Sequence, residues 1–149
     1  VNFIAIPCNT VHAYFDFLEN SIKVPLLNII DESVRGLSSK NKKVTLLATQ
    51  TTVDLGIYQK EIEKTGSKFY FKAEWQNQVN EIIEKIKLHE ILKAYSLWKT
   101  LLRELKKEKI DTIVIGCTDL SILEKPKPFV FIDSTEKLAE AIVKKYLSL

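Results

Sequence analysis

The chain has 149 residues, of which 46% are hydrophobic and 28% are charged, which is typical of one compact globular domain or two small ones and excludes a disordered chain. The 22 basic residues are nearly balanced by 19 acidic ones, so the net charge of +3 does not favour a nucleic-acid partner. No apolar run reaches the roughly 18 residues needed to span a bilayer, so we expect no membrane partner. Two widely spaced cysteines are too few for a disulfide scaffold and favour a reducing cytoplasm.

Apolar, β-prone segments alternate with segments of helical periodicity along the chain. Strands are predicted at residues 1–6, 24–30, 44–48, 68–71, 110–115 and 129–132. Helices are predicted after residue 10, from Asp31 to Gly36, between Thr52 and Lys64, as one segment from Trp75 to Glu108, and from a capping box of Asp133 and Glu136 onward. This alternation predicts an α/β fold with a mostly parallel sheet, in which ligands bind at the carboxyl ends of the strands.

Both cysteines come directly after a predicted strand, and their surroundings match. The two segments are Ile4-Ala5-Ile6-Pro7-Cys8-Asn9-Thr10 and Ile113-Val114-Ile115-Gly116-Cys117-Thr118-Asp119. In each segment a turn-forming Pro or Gly precedes the cysteine, and small polar residues suited to starting a helix follow it. A helix N-terminus lowers the pKa of a thiol and binds a carboxylate through its free N–H groups. The pattern therefore predicts two reactive thiols, each beside an anion-binding site.

Other interpretations of the two cysteines remain at this stage. Buried, inert cysteines are common in protein cores, although two in matching polar contexts favour a functional role. A structural disulfide is compatible with the sequence but not with a reducing cytoplasm. A metal site is disfavoured, because the chain has no CxxC motif and only two histidines, His12 and His89.

Four segments are similar, in the same order, to signature segments of the aspartate/glutamate racemase family, and together they cover nearly the whole chain. They are Pro7-Cys8-Asn9-Thr10-Val11-His12, then Ala48-Thr49-Gln50-Thr51-Thr52-Val53 with Gly56-Ile57-Tyr58-Gln59, then Gly116-Cys117-Thr118-Asp119-Leu120, and finally Asp133-Ser134-Thr135. The resemblance implies two similar α/β halves with the site between them. Residues 1–38 and 120–149 would form the first half, and residues 39–119 the second. It also implies a homodimer that uses no cofactor.

In that family, one cysteine thiolate removes the α-proton of the amino acid and the other thiol delivers a proton to the opposite face. By similarity, Cys8 and Cys117 are these two catalytic groups. The residues implied to hold the α-carboxylate of the substrate are Asn9, Thr10, Thr52 and Thr118. His12 is a further candidate, either to tune the Cys8 thiol or as a structural cap partner. Asp119 is a candidate to orient a histidine, to bind the amino group, or to act as a cap.

Three features depart from the family pattern. Asp119 stands where the family normally has Glu, and Thr51 where it usually has Gly. The chain also starts at Val1, contains no Met, and shows no match to the N-terminal βα portion of family members. We therefore expect the first half to be incomplete. Either that portion precedes Val1 in the full protein, or the chain is a truncated relative.

The sequence thus predicts a cytoplasmic amino-acid racemase, acting on aspartate first and glutamate second, without pyridoxal phosphate or a metal. Racemisation needs an acid and a base on opposite faces of the α-carbon, and two similar thiols supply both. One alternative is another enzyme of the superfamily that forms an α-carbanion, such as a hydantoin racemase or an arylmalonate decarboxylase-like protein. The other alternative is a truncated, non-catalytic ligand-binding relic.

Overall fold

The computed structural model describes residues 1–149. The six strands are β1 (Ile4–Ala5), β2 (Leu26–Leu27), β3 (Lys43–Ala48), β4 (Lys68–Phe69), β5 (Thr112–Gly116) and β6 (Val130–Asp133). The seven α-helices are α1 (Phe15–Asn20), α2 (Ile29–Val34), α3 (Gln50–Asp54), α4 (Gln59–Lys64), α5 (Ala73–Lys87), α6 (Ile91–Lys107) and α7 (Ser134–Leu147). Two 3₁₀-helices cover Thr10–Tyr14 and Thr118–Ile122. None of the helices combines the length and the apolar character that a membrane span requires.

All strand pairs are parallel. The main sheet has four strands in the order β4-β3-β5-β6, and β1 and β2 form a separate pair. In the main sheet Ala48 lies opposite Gly116, and Ile115 lies opposite Asp133, so β3, β5 and β6 end together at one edge. The predicted α/β architecture with parallel strands is confirmed, and its carboxyl edge is the place where such sheets bind ligands.

The main sheet is covered by helices on both faces, as expected for a parallel sheet. Alternate side chains of β5 point to opposite faces, so Ile113 and Ile115 join one core while Val114 joins the other. The first core lies between the sheet and the pair α5–α6, with Trp98 almost fully buried at its centre. The second core lies between the sheet and helices α2, α4 and α7. Burial on both faces explains why the strands are continuous apolar runs in the sequence.

The predicted single helix from Trp75 to Glu108 is wrong, because the chain reverses between α5 and α6. His89 adopts a left-handed conformation with φ of 58°, which a continuous α-helix excludes. Gln78 near the start of α5 donates a hydrogen bond to Glu104 near the end of α6, so the two helices run antiparallel. The reversal leaves Leu88 and Leu92 exposed. The apolar residues of α6 that pack into the first core are Ala94, Trp98, Leu101, Leu102 and Leu105.

Two predicted helix caps also differ. Asn28 rather than Asp31 caps α2, since its side-chain oxygen accepts the N–H of Ile30 at 2.9 Å. Asp133 caps α7 as predicted, accepting the N–H of Thr135 at 2.9 Å. Glu136 does not complete a capping box; its carboxylate pairs instead with Lys125 at 2.6 Å. A charged partner within reach attracts this carboxylate more strongly than a backbone N–H.

The sheet continues across the predicted boundary between residues 119 and 120. β6, assigned to the first half, is hydrogen-bonded along its length to β5, assigned to the second. Helix α7 packs against α2, which lies within residues 1–38. The C-terminal segment therefore connects the four-stranded sheet to the N-terminal part of the chain. The division into two similar halves stays a prediction.

Candidate active site

The turn that carries Cys8 follows β1 and leads into the first 3₁₀-helix. The N–H of His12 bonds to the carbonyl of Asn9 at 3.0 Å, and the N–H of Leu120 bonds to that of Cys117 at 3.1 Å. Both are bonds to the third residue back, the pattern of a 3₁₀-helix. Each cysteine is thus followed by a short 3₁₀-helix and not by the predicted α-helix. The Cys8 side chain is exposed and that of Cys117 is buried.

Asn9 connects the Cys8 turn to the end of β6 by a hydrogen bond. Its side chain is buried, and its amide nitrogen donates to the hydroxyl of Ser134, the first residue of α7, at 3.0 Å. Its amide oxygen accepts the hydroxyl of Tyr58 at 2.5 Å. Both ends of the Asn9 amide are therefore engaged within the protein. Sequence reasoning assigned Asn9 to substrate binding and did not foresee these partners.

Thr10 connects the same turn to the segment after β3 by hydrogen bonds. Its hydroxyl lies 2.8 Å from that of Thr52 and 3.2 Å from that of Thr49. The hydroxyls of Thr49 and Thr52 are themselves 3.0 Å apart, so the three form a closed triangle. Thr49 is the N-cap of α3, which begins immediately after β3. Two of the predicted site residues, Thr10 and Thr52, thus lie together.

Cys117 follows β5, and β5 lies between β3 and β6 in the sheet. Thr10 is bonded to the segment after β3, and Asn9 to the segment after β6. The Cys8 turn is therefore attached to the elements on both sides of the strand that carries Cys117. This arrangement follows from parallel strands that end at a common edge.

Burial raises the pKa of the Cys117 thiol above its ordinary value. The backbone N–H of Asp119 lowers this pKa, and the Asp119 carboxylate raises it. The N–H of Leu120 and the positive charge of Lys87 also lower it. Loss of hydration outweighs the donors, so the predicted lowering of the thiol pKa by a helix N-terminus is wrong for Cys117. Cys117 is a protonated thiol at neutral pH.

Two charged groups and a hydroxyl lie at the Cys117 turn: Asp119 and Thr118 belong to the turn, and Lys87 reaches it from the end of α5. Sγ of Cys117 lies 4.0 Å from the Asp119 carboxylate, and Nζ of Lys87 lies 3.8 Å from the same carboxylate oxygen. Both charged side chains are partly exposed to solvent. Thr118 opens the second 3₁₀-helix and is half-buried. Asp119 thus lies beside the Cys117 thiol and Lys87.

His12 belongs to the Cys8 turn. Its buried ring bonds through Nδ1 to the carbonyl oxygen of Cys8 at 2.8 Å, and the N–H of Ile29 donates to Nε2 at 3.3 Å. Nε2 also lies 3.5 Å from the carbonyl oxygen of Leu27, so backbone groups surround the ring on both sides. Both bonds go to backbone groups, which favours a structural role, and the choice between the two roles of His12 stays a prediction. The ring bonds to the backbone of Cys8, and no bond joins it to the thiol.

A further hydroxyl network joins the Cys117 turn to α7. The Ser121 hydroxyl donates to the buried Asp133 carboxylate at 2.9 Å and lies 3.0 Å from that of Thr135. Lys125 pairs with the same carboxylate at 3.0 Å.

No group of three or more His, Cys, Asp or Glu side chains is arranged to hold a metal ion.

Sequence reasoning missed Tyr58, Ser134 and Lys87 as residues of this region. Tyr58 and Ser134 lie within segments that carry the family resemblance, which was the available signal for them. Lys87 lies at the end of α5 in a lysine-rich surface stretch, and no motif distinguishes it. Its approach to Asp119 depends on how α5 packs beside the end of β5.

The sequence profile of the Asp/Glu/Hydantoin racemase family matches residues 1–142. The chain belongs to this family. It is 35% identical over 151 residues to the broad specificity amino-acid racemase RacX of Bacillus subtilis (strain 168), covering 99% of this chain and 66% of that protein. It is 32% identical over 155 residues to a glutamate racemase of Aquifex pyrophilus, covering 93% of this chain and 56% of that protein.

Among solved structures, the aspartate racemase of Picrophilus torridus matches with a TM-score of 0.84 and 28% identity. The match covers 97% of this chain and 62% of that one. The predicted resemblance to aspartate/glutamate racemases is therefore confirmed. The chain spans between 56% and 66% of the length of these three proteins.

Proposed function

We propose that the chain carries the site of a cofactor-independent amino-acid racemase, in which Cys8 and Cys117 exchange protons with opposite faces of the α-carbon. One observation carries the proposal: the Cys8 turn is hydrogen-bonded to the elements on both sides of the strand that ends at Cys117. Membership of the Asp/Glu/hydantoin racemase family and similarity to proteins named amino-acid, aspartate and glutamate racemases support it.

The two thiols differ in a way that suits one acid and one base. Burial raises the pKa of Cys117, which keeps this thiol protonated and ready to donate. Cys8 is exposed, so its sulfur is reachable by a small substrate. For the opposite enantiomer the roles exchange, and Cys117 must then lose its proton. We infer that the direction starting with proton removal by Cys117 is favoured by higher pH.

The carboxylate of the substrate needs donors near both thiols, because removal of the α-proton places negative charge on this group. We propose that Thr10 and Thr118 provide hydroxyl and N–H donors. Thr52, also predicted to bind the carboxylate, is fully buried and its hydroxyl is bonded to that of Thr10, so we propose that it holds the Thr10 hydroxyl in place. Asn9 contributes through its backbone N–H and its remaining amide hydrogen, since the rest of its side chain is bonded to Tyr58 and Ser134. We propose no cofactor for this chemistry.

The proposed substrate is a small acidic amino acid, aspartate first and glutamate second. The ammonium group of Lys87 lies beside the Cys117 turn, where it can attract a second carboxylate. Lys87 reaches Asp119 at only 3.8 Å, so this ion pair is loose enough for a substrate carboxylate to compete. The name of the Bacillus relative states broad specificity, so a panel of amino acids belongs in the assay.

The decisive experiment replaces each cysteine singly by Ser, whose hydroxyl is too weak an acid to replace a thiol at neutral pH. Each variant should lose racemisation by several powers of ten, since each tenfold loss corresponds to only about 1.4 kcal/mol of transition-state stabilisation. In D₂O, Cys8→Ser and Cys117→Ser should each still exchange the α-proton of one enantiomer, and the two variants should act on opposite enantiomers. Proton NMR of L- and D-aspartate follows the exchange.

Other outcomes point to the remaining interpretations. Full racemisation by either single variant contradicts the two-thiol mechanism. Loss in only one variant, with turnover of a hydantoin or an arylmalonate, supports a different α-carbanion enzyme. An unmodified chain that folds but converts none of these compounds supports the ligand-binding relic.

We also propose a homodimer. The support is similarity to the family and the exposure of large apolar side chains, of which Leu92 at 87% is one. Sedimentation equilibrium at tens of micromolar should give twice the mass of 17.1 kDa. A single species at the monomer mass contradicts the proposal.

A further inference from the structure

Tyr58 lies in the core beneath the two cysteine turns. Its side chain is fully buried at 0% exposure, and its hydroxyl is bonded to Asn9, the residue after Cys8. The same hydroxyl lies 3.4 Å from that of Ser33 in α2. Burial raises the pKa of Tyr58 to about 12, so the hydroxyl stays protonated and donates throughout the neutral range.

The ring of Tyr58 also approaches the other cysteine. A Cβ atom added to Gly116, the residue before Cys117, would lie 3.2 Å from Cε2 of the tyrosine. That separation is below ordinary van der Waals contact, so the ring edge occupies space that a side chain at position 116 would need. A single side chain thus bonds to the residue after Cys8 through its hydroxyl, and its ring lies beside the residue before Cys117.

We propose that Tyr58 is a positioning residue that holds the two cysteine turns at a fixed separation. The proposal rests on the proposed racemase function, in which both thiols must reach one α-carbon. The ring limits how closely the Gly116 backbone approaches, and the hydroxyl holds Asn9 in place above it. Asn9 also donates to Ser134, so the side chain that Tyr58 holds in place connects the Cys8 turn to the start of α7.

A purely space-filling role does not account for the hydroxyl. A buried hydroxyl without a partner destabilises the fold, so a core position that needs only volume favours Phe or Leu. Tyr58 instead forms its short bond to a side chain 49 residues away, adjacent to a cysteine. The hydroxyl therefore specifies geometry in the Cys8 turn.

Tyr58→Phe tests the proposal, because it removes the hydroxyl and keeps the ring. The matched control is Tyr146→Phe, which removes the hydroxyl of an exposed tyrosine on α7. Folded protein is treated with 1,3-dibromoacetone, a short reagent that bridges two thiols, and mass spectrometry follows bridging of Cys8 to Cys117. Parallel treatment with iodoacetamide measures the reactivity of each thiol alone.

We expect Tyr58→Phe to slow bridging about tenfold, the factor that corresponds to one lost buried hydrogen bond, with alkylation of exposed Cys8 unchanged. Tyr146→Phe should bridge at the rate of the unmodified chain. Where racemisation is measurable, kcat should fall with little change in KM, because positioning of the thiols and not substrate binding is affected.

Unchanged bridging in folded Tyr58→Phe overturns the proposal, even if the variant melts at a lower temperature, because that result means a structural role only. Asn9→Ala removes the other partner and gives a second test if Tyr58→Phe does not fold; it should also slow bridging about tenfold. Bridging reports geometry and not catalysis. A chain without racemase activity whose bridging still depends on Tyr58 would contradict the proposed function and leave the spacing role standing.

Discussion

The hydroxyl oxygens of Thr10 and Thr52 lie 2.8 Å apart, although 42 residues separate them in the chain. This contact joins the turn after β1 to the first turn of α3, and Thr49 completes the group. Since Thr52 is fully buried, its hydroxyl has no access to water as a substitute partner. The contact is therefore part of what holds the two sheets together at the site.

Thr52→Val should destabilise the fold by about 1–3 kcal/mol, because it leaves the hydroxyl groups of Thr10 and Thr49 short of a buried partner. Thr51→Val is the matched control, since Thr51 is exposed on the same helix. Urea unfolding followed by circular dichroism gives both free energies of unfolding. Equal values for the two variants would show that the hydroxyl triangle adds nothing to stability.

Gly116→Ala should destabilise the fold by about 1–3 kcal/mol through overpacking. The added Cβ would lie 2.8 Å from Cδ1 of Leu46 and 3.2 Å from Ala48, so the strand end before Cys117 must shift. Gly36→Ala serves as the control, because the nearest atom to its Cβ would be 3.9 Å away. The midpoint of thermal unfolding should fall for Gly116→Ala only. A fall in both, or in neither, argues against close packing at Gly116.

His12→Ala should reduce stability by about 1–3 kcal/mol, because the N–H of Ile29 loses its acceptor in a buried region. The rate at which iodoacetamide alkylates Cys8 should keep its pH dependence, since His12 bonds to the Cys8 carbonyl and not to its thiol. His89→Asn is the control; His89 is exposed, and Asn tolerates its left-handed backbone. A shifted pH profile for Cys8 in His12→Ala would instead support a thiol-tuning role.

The rate at which iodoacetamide alkylates Cys117 should be low at pH 7. It should still rise with pH at values where the alkylation rate of an exposed thiol has already levelled off. The reason is that burial raises the pKa of Cys117, and only the thiolate reacts. The measurement uses a Cys8→Ser background so that one thiol remains. If the alkylation rate of Cys117 levels off at the same pH as that of an exposed thiol, or at a lower pH, the pKa of Cys117 is not raised.

Two charge variants in the same background should act in opposite directions. Asp119→Asn removes a negative charge that raises the pKa of Cys117, so alkylation at pH 8 should become about two- to fivefold faster. Lys87→Met removes a positive charge that lowers it, so alkylation should become slower by a similar factor. Lys93→Met should leave the rate unchanged, because Lys93 pairs with Glu90 and is not among the charges that shift the pKa of Cys117. Changes of the same sign in both charge variants would rule out the electrostatic explanation.

Features that depend on neighbours in the sequence were predicted well. The apolar runs before Cys8 and Cys117 are strands, as their composition indicates, and Asp133 caps the helix that follows it. The single long helix through residue 89 was wrong, because local helical periodicity continues through the left-handed turn at His89. A chain reversal is decided by whether packing two shorter helices against each other buries more apolar surface than one long helix.

Sequence alone determined that this is a parallel α/β protein with two cysteines at the ends of strands, and the resemblance of its motifs identified the family. Only the tertiary structure decided that Asn9 bonds to Tyr58 and Ser134, that Lys87 reaches Asp119, and that burial raises the pKa of Cys117. Strand and helix formation depend on a few consecutive residues. Contacts between residues as distant as Asn9 and Ser134, and the loss of hydration at Cys117, depend on how the completed sheet and helices pack.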